Sequence, residues 1–486
     1  MSDALERARE YELAAERDIA PAERPLFHLS ARCGWMNDPN GFSFYNGQYH
    51  LFYQYHPYTS HWGPMHWGHA VSRDLLHWEY LPAALAPDTA YDGGGCFSGS
   101  AATLPDGRHL LMYTGVSKDG VRKKQTQNLA VGDGRDYQKL PQNPVIGEAL
   151  LPPGGSPFDF RDPRILPRPD GSWVAFAAND RAGAGGTILR YRSRDLLHWS
   201  FAGTVLANDN RRGLMWECPD LFRLDGTDVL LLSAQDMLPE GFEYHNGNGT
   251  VAFLGSFEEE SGRLTPQRDQ AIDSGIDFYA PQTILTPDGR RVMIGWLQNW
   301  DTCNQHFRNL PWFGQMSLPR ELSIRNGRLY QQPLRELEAL RQERVACEKV
   351  RLTDGTLSLP GVEGRALDLT LALDASACKR FHLYFAQAGD LRSSISFRPE
   401  EDVLKIDRKH SGSRRAIIHQ RRAKVRHEDG KLRLRLILDR FSAEVFVNDG
   451  EQVLSIALDT PLTADRITFR AEGTAVFDVA SYALTT

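Results

Sequence analysis

No stretch of the 486 residues approaches the roughly 20 consecutive apolar positions that a membrane-spanning helix needs. Long runs of positive charge are missing too. The longest uninterrupted one, Arg122-Lys123-Lys124, is too short to be a nucleic-acid footprint. A denser group (Arg414, Arg415, Arg421, Arg422 and Lys424) is interrupted by apolar residues and reads as a solvated strand face. The six cysteines (Cys33, Cys96, Cys218, Cys303, Cys347 and Cys378) show neither a pairing rhythm nor a metal-site spacing. Near the N-terminus, where a secretion signal would carry apolar residues, stand Glu6, Arg7, Arg9, Glu10, Glu12 and Glu16. These absences lead us to expect a cytoplasmic protein with reduced thiols and no nucleic-acid or membrane partner.

What is present points to a two-domain globular chain. Its length exceeds one ordinary core, 41% of its residues are hydrophobic and its net charge is −6. Three acidic motifs, each close to a proline, lie far apart. Trp35-Met36-Asn37-Asp38-Pro39-Asn40-Gly41 places Asp38 before a residue of fixed φ and two that tolerate positive φ. Phe160-Arg161-Asp162-Pro163 sets an arginine beside an aspartate, and Trp216-Glu217-Cys218-Pro219-Asp220 sets a glutamate after a tryptophan. Singly these read equally well as a surface turn, a structural pair and a loop charge. Together they offer the acid and the nucleophile that glycoside hydrolysis requires, with a third carboxylate to hold sugar hydroxyls.

The chain resembles the glycoside hydrolase family that includes invertases, sucrose-6-phosphate hydrolases, inulinases and levanases. WMNDPNG (35–41), YHLFYQYHP (49–57), WGPMHWGHAVS (62–72), CFSGS (96–100), FRDP (160–163), WECPD (216–220), DFYAPQ (277–282), LPREL (318–322) and AEVFVNDGE (443–451) carry the likeness. The WGPMHWGHAVS segment and the N-terminal charges are most similar to the bacterial intracellular sucrose-splitting branch.

An internal repeat supports the fold that this resemblance implies. Ser72–Trp78 recurs letter for letter at Ser193–Trp199, 121 residues later. Apolar strand cores recur at Tyr49–Tyr53, His109–Tyr113, Trp173–Ala177, Val229–Ser233 and Arg291–Gly295, with starts 60, 64, 56 and 62 residues apart. That period predicts propeller blades of four strands. We therefore expect an all-β protein, a five-bladed β-propeller followed by a C-terminal β-sandwich. The expected divisions are a helical leader over 1–26, the propeller over 27–332, a linker helix over 333–348 and the sandwich over 349–486. The leader helix is expected over 3–18, begun by Asp3 and Glu6 and closed by Pro21. Leu334, Leu337 and Leu340 suggest the linker helix. Alternation at Leu432–Leu436 and the Asn448-Asp449-Gly450 turn suggest the sandwich.

By resemblance, Asp38 is the nucleophile, Glu217 the general acid/base and Asp162 the transition-state stabiliser of a retaining, exo-acting β-fructofuranosidase. Its expected partner is a small sugar, either sucrose or sucrose 6-phosphate. Arg161 is expected to keep Asp162 anionic, and Trp35, Asn37, Gln54, Trp62, Phe97, Ser98, Tyr279 and Trp296 to complete a substrate pocket. His77 and His198 recur in equivalent settings and read as structural. No cofactor is expected, and no metal, although His61, His66 and His69 lie close in sequence. Arg211-Arg212 reads as an exposed pair, or as a contact for a phosphate. Other readings are an exo-fructanase with the same chemistry, an inverting five-bladed glycosidase and a non-catalytic sugar-binding protein.

Overall fold

Each blade starts with a strand at the centre of the ring and works outward. The central strands are Gly34–Tyr45, Gly95–Thr103, Phe160–Pro167, Trp216–Leu224 and Tyr279–Leu285, one from each of five antiparallel sheets, and they pack against one another around the axis. The apolar cores seen in the sequence form the second strands, Gln48–His56, His109–Val116, Trp173–Asp180, Thr227–Met237 and Arg291–Trp296. These are buried on both faces, against neighbouring blades, so they read as runs rather than as alternation. In this computed structural model all residues except 182, 304–309 and 413–417 are described. Arg414 and Arg415 of the basic cluster therefore lie outside the described residues, while Arg422 and Lys424 are exposed on the edge strand Gln420–Lys424.

The letter-for-letter repeat folds into the same turn twice. Ser72 and Ser193 accept from the backbone N–H of Leu75 (2.8 Å) and Leu196 (2.9 Å), and both leucines are left-handed, with φ of 68° and 71°. Asp74 and Asp195 hold the backbone and ring nitrogens of His77 and His198. These histidines cap turns on the outside of blades 1 and 3. Of the nearby histidines, His69 Nε2 meets His50 Nδ1 at 3.0 Å and His66 Nδ1 meets the Pro64 carbonyl at 3.1 Å.

Ring closure joins distant parts of the chain. Trp312–Phe313 pairs in parallel with Gly34-Trp35 at the start of blade 1, and the N–H groups of Gly34 and Ala31 donate to the carbonyls of Pro311 and Gly314. Gly314 has φ +95°, and a Cβ there would lie 2.1 Å from the Met36 carbonyl oxygen, so the closing strap needs glycine at this point.

Two helical expectations are corrected. The N-terminal helix spans Asp3–Glu16 and its cap is Ser2, whose hydroxyl accepts from Leu5 N, rather than the Asp3/Glu6 pattern. It packs on blade 1 through the buried Glu12, which accepts from Ala83 N at 2.9 Å and faces Arg32. The linker forms only a six-residue 3₁₀ helix, Arg335–Leu340, followed at once by the strand Arg341–Leu357. Leu334, Leu337 and Leu340 recur every third residue with no i+4 partner, which matches the 3.0-residue turn better than the α period, and all three are buried.

The C-terminal strands form one hydrogen-bonded set of nine folded over itself. The strand Leu367–Ala388 pairs with Lys431–Asp439 along its first half and with Leu391–Arg398 along its second, bending at register shifts near Asp374 and Cys378. Residues of both halves, among them Leu371, Leu436, Phe385 and Phe397, share a single core, which makes the unit a sandwich.

Buried charges bind the sandwich to the propeller. His28 lies between Asp439 (2.8 Å) and Glu444 (2.9 Å), all three side chains essentially without solvent contact. Arg320 meets the other Glu444 oxygen at 2.6 Å and Asp273 at 3.1 Å, and Arg408 meets Asp277 at 2.6 Å. The two carboxylates outweigh burial and push His28 up to about 9, so it is a cation at neutral pH. A raised histidine stabilises the fold fully below its unfolded value near 6.5, and this contribution disappears as pH rises through about 9. We predict that thermal stability of the parent falls between these pH values. His28→Gln should be less stable at pH 6 by on the order of 2–4 kcal/mol. Its stability should also be nearly flat over the same window. Parallel melting curves from pH 6 to pH 9.5 check both, and identical slopes would contradict the assignment.

Candidate active site

All five central strands carry the same irregularity at the same height. Each gains one residue relative to its partner strand, between Met36 and Pro39, Phe97 and Gly99, Arg161 and Arg164, Glu217 and Asp220, and Tyr279 and Gln282. A bulge of this kind bends the strand and re-aims its side chains. Four of the bulges contain a proline (Pro39, Pro163, Pro219 and Pro281), which has no N–H to leave unpaired in the broken ladder. The fifth contains Gly99, where a Cβ would come within 2.0 Å of the Met112 carbonyl oxygen. Asp162, Cys218 and Ala280 sit at positive φ (63°, 52° and 51°), the conformational mark of the extra residue.

The bulges convert sequence motifs into rings of side chains. Asn37, Phe97, Arg161, Glu217 and Tyr279 hold equivalent positions on the five strands; Asp38, Ser98, Asp162, Cys218 and Ala280 form the next layer. Asp38 accepts from Asn37 Nδ2 at 3.0 Å on one oxygen and from Ser98 Oγ at 2.8 Å on the other. Asp162 accepts from the backbone N–H of Cys218 at 2.9 Å, and its own N–H donates to Thr114 Oγ1 at 2.9 Å. The Cys218 sulfur lies 3.7 Å from Asp38 Oδ2 and 3.5 Å from Asp162 Oδ2. Burial and these carboxyls push its thiol well above the ordinary range, so it stands as a neutral spacer between them.

Glu217 is gripped from two sides. Arg161 Nε donates to Oε1 at 3.0 Å and the Tyr279 hydroxyl donates to Oε2 at 2.8 Å. A phenol can also accept from a protonated carboxyl, so the Tyr279 contact suits both protonation states of an acid/base. The guanidinium of Arg161 thus faces Glu217, Gln125 (3.3 Å) and Asp159 (3.4 Å). It was expected to keep the adjacent Asp162 anionic; its charge does act in that direction, although its hydrogen bonds go to these three groups and none to Asp162. Burial first, and then the Glu217 charge, push Asp38 up to about 6 and Asp162 upward as well, with Arg161 opposing the rise at Asp162.

The remaining expected residues fall in two places. Trp62 is half exposed (49%) and meets Phe97 edge-on at 6.3 Å, so both stand at the open end. Trp35 and Trp296 are fully buried behind the site. The Trp35 indole donates to Asn37 Oδ1 at 2.7 Å and stacks on Phe313 at 4.8 Å, which fixes the amide that holds Asp38. Gln54 is buried and its Nε2 donates to the Cys96 carbonyl at 2.9 Å. Thr114 and Gln125 escaped sequence reading because they stand outside the acidic motifs and reach them only through the fold, while Asp159, two residues before Arg161, gave no signal of its own. Arg212, read as exposed, is buried between Asp269 (2.5 Å) and Glu240 (2.6 Å), whereas Arg211 is exposed and paired with Asp209. Among the described residues no cluster of three or more potential metal ligands occurs.

Residues 28–333 match the glycosyl hydrolases family 32 N-terminal domain, and residues 336–484 match the family 32 C-terminal domain. A sucrose-6-phosphate hydrolase of Escherichia coli is 38% identical over 439 residues, 89% of this chain and 88% of that protein. A raffinose invertase of Escherichia coli is 36% identical over 438 residues, again 89% of this chain and 88% of that protein. Among solved structures, a Bombyx mori family 32 β-fructofuranosidase superposes with a TM-score of 0.84 at 33% identity, over 99% of this chain and 98% of that one. With the two domain descriptions meeting at the junction of propeller and sandwich, the chain belongs to glycoside hydrolase family 32.

Proposed function

We propose that the protein is a retaining, exo-acting β-fructofuranosidase that removes the terminal fructosyl unit of sucrose or sucrose 6-phosphate. The observation that carries this reading is the division of labour among the carboxyls at the axis. Asp38 is fixed by Asn37 and Ser98 on blade 1, and Glu217 is held across the axis by Arg161 and Tyr279. The Asp38 carboxylate attacks the anomeric carbon as the glycosidic C–O bond breaks, and the Glu217 proton goes to the departing oxygen. A water molecule then attacks the fructosyl ester, loses its proton to Glu217 and regenerates Asp38. Asp162, held by the Cys218 N–H, accepts from ring hydroxyls as positive charge develops on the sugar. The names of the relatives, a sucrose-6-phosphate hydrolase and a raffinose invertase, support the substrate class. Free thiols at all six cysteines suit a reducing compartment, which supports placing the enzyme in the cytoplasm.

Asp38→Asn should fold and lose turnover, because the amide cannot form the ester. In the parent, kcat/KM should fall about tenfold per pH unit below about pH 6, as the nucleophile becomes protonated. A raised carboxyl also makes the fold less stable as pH climbs from near 3.8 through about 6. Asp38→Asn should therefore gain stability relative to the parent at pH 7.5 compared with pH 4. Near-normal sucrose hydrolysis by the folded variant would refute the nucleophile.

Glu217→Ala should lose roughly 10²–10⁴-fold in rate on sucrose. In the fructosyl-transfer step the loss should shrink with a fructoside whose leaving group needs no proton. Pre-steady-state comparison of poor and good leaving groups decides it: equal losses would remove Glu217 from the acid role.

Substrate size follows from Trp62 and Phe97 at the open end, which serve one terminal ring and one leaving unit. Sucrose-type disaccharides should show a higher kcat/KM than inulin or levan, compared per non-reducing end in one buffer. Equal or better efficiency on levan would favour the exo-fructanase reading and leave the chemistry standing.

A further inference from the structure

Two residues beyond each bulge centre, the central strands carry a second, buried polar ring. Its members are Asn40, Ser100, Arg164, Asp220 and Gln282, and all are buried, with none above 8% exposure. Five polar side chains in the middle of a propeller are costly unless each is paired. Here they pair across blades. Ser100 Oγ donates to the Pro163 carbonyl (2.7 Å) and accepts from Ile165 N (2.8 Å), joining blade 2 to blade 3. Arg164 Nε stands 3.1 Å from Asp220 Oδ1 as a charge pair rather than an aligned hydrogen bond, and Arg164 Nη2 donates to the Thr283 carbonyl at 2.7 Å, joining blade 3 to blades 4 and 5. The other Asp220 oxygen accepts from Thr283 N (2.7 Å) and Thr283 Oγ1 (2.9 Å). Gln282 donates to the Gly99 carbonyl (2.7 Å) and accepts from Phe42 N (3.1 Å), tying blade 5 to blades 2 and 1.

Asn40 completes the circuit and reaches the nucleophile. With its amide oriented so that both ends are satisfied, it donates to Ser98 Oγ (3.2 Å) and accepts from Gln54 N (3.2 Å). Ser98 Oγ in turn donates to Asp38 Oδ2 at 2.8 Å. On the far side, Asp220 lies three residues beyond Glu217 across the same bulge, and Arg164 lies two beyond Asp162. The network therefore spans every blade that supplies one of the three carboxyls, and its five ring members are themselves buried.

We propose that this buried ring, with the Arg164–Asp220 ion pair at its centre, is a positioning device that fixes Glu217 relative to Asp38. It rests on the roles assigned to those two residues above. A bulged strand is locally free to twist, and a displacement of about 1 Å between reacting groups can cost on the order of 100-fold in rate. The pair restrains blades 3 and 4 just below the bulges, where such a twist would begin.

Asp220→Asn keeps the shape and discharges one partner. It should lower kcat on sucrose about 10–100-fold and leave KM within about twofold, since the sugar-contacting groups remain. As with Glu217→Ala, the loss should shrink with a fructoside whose leaving group needs no proton, because proton delivery is what is misaligned. Arg164→Gln should act similarly, and the double variant should lose less than the product of the two, because neither charge is then left unpaired. Thr283→Val removes a single hydroxyl donor to Asp220 and should show the same leaving-group pattern more weakly, even where the charge variants fold poorly. Losses that are equal for both leaving groups, or that only follow the folded fraction, would overturn the positioning role. If Glu217→Ala still discriminated between leaving groups, the acid assignment would stand while the ring proposal fell; if it did not, both would fall.

Discussion

Three carboxyl groups share a nearly dry space at the propeller axis, and much of the molecule is organised to tolerate that. Buried beside one another, Asp38 and Asp162 both hold their protons to higher pH than usual. The fold offsets part of this with one guanidinium aimed at Glu217, one backbone N–H aimed at Asp162 and two neutral donors aimed at Asp38. None of these groups could be recruited from a regular strand. An unbroken ladder would point successive side chains to opposite faces, whereas the bulge turns Arg161 toward Glu217 and leaves the neighbouring Asp162 toward Cys218.

Among the described residues the carboxyls at the axis take their hydrogen bonds from the propeller, yet the sandwich cannot be treated as an appendage. Its Asp439 and Glu444 complete the solvation of His28 and Arg320, which belong to the propeller. Removing one side would leave buried charges on the other without partners, and that is among the more costly changes a protein can suffer. The two units are thus bound by electrostatic necessity as much as by apolar contact.

Much of this was legible in the sequence because the chemistry and the backbone irregularity share residues. Proline one or two residues after an acidic residue marks both the bulge and the carboxyl beside it, so WMNDPNG, FRDP and WECPD pointed to the three carboxyls that the structure gathers at the axis. The period near 60 residues disclosed the blades, since each repeats the same buried second strand. What stayed hidden depends on partners distant in the chain. Arg161 stands next to Asp162 in sequence and faces Glu217 in space; Thr114 and Gln125 matter only once blades are adjacent. The linker helix was misread because three leucines at intervals of three satisfy a short 3₁₀ turn as readily as the edge of an α-helix. Bulge-to-bulge equivalence was visible in principle, as Asp-Pro, Ser-Gly, Asp-Pro, Cys-Pro and Ala-Pro, but only the paired register shows that the five dipeptides stand at one height.

The closing strap couples architecture to reactivity in a way that bears on how the enzyme wears out. Trp312-Phe313 latches the ring by pairing with Gly34-Trp35, and the same Phe313 ring stacks on Trp35, whose indole steadies the Asn37 amide that holds Asp38. Latch and Asp38 are three contacts apart. A propeller that opens at this seam loses a support of Asp38 even while its other four sheets stay paired.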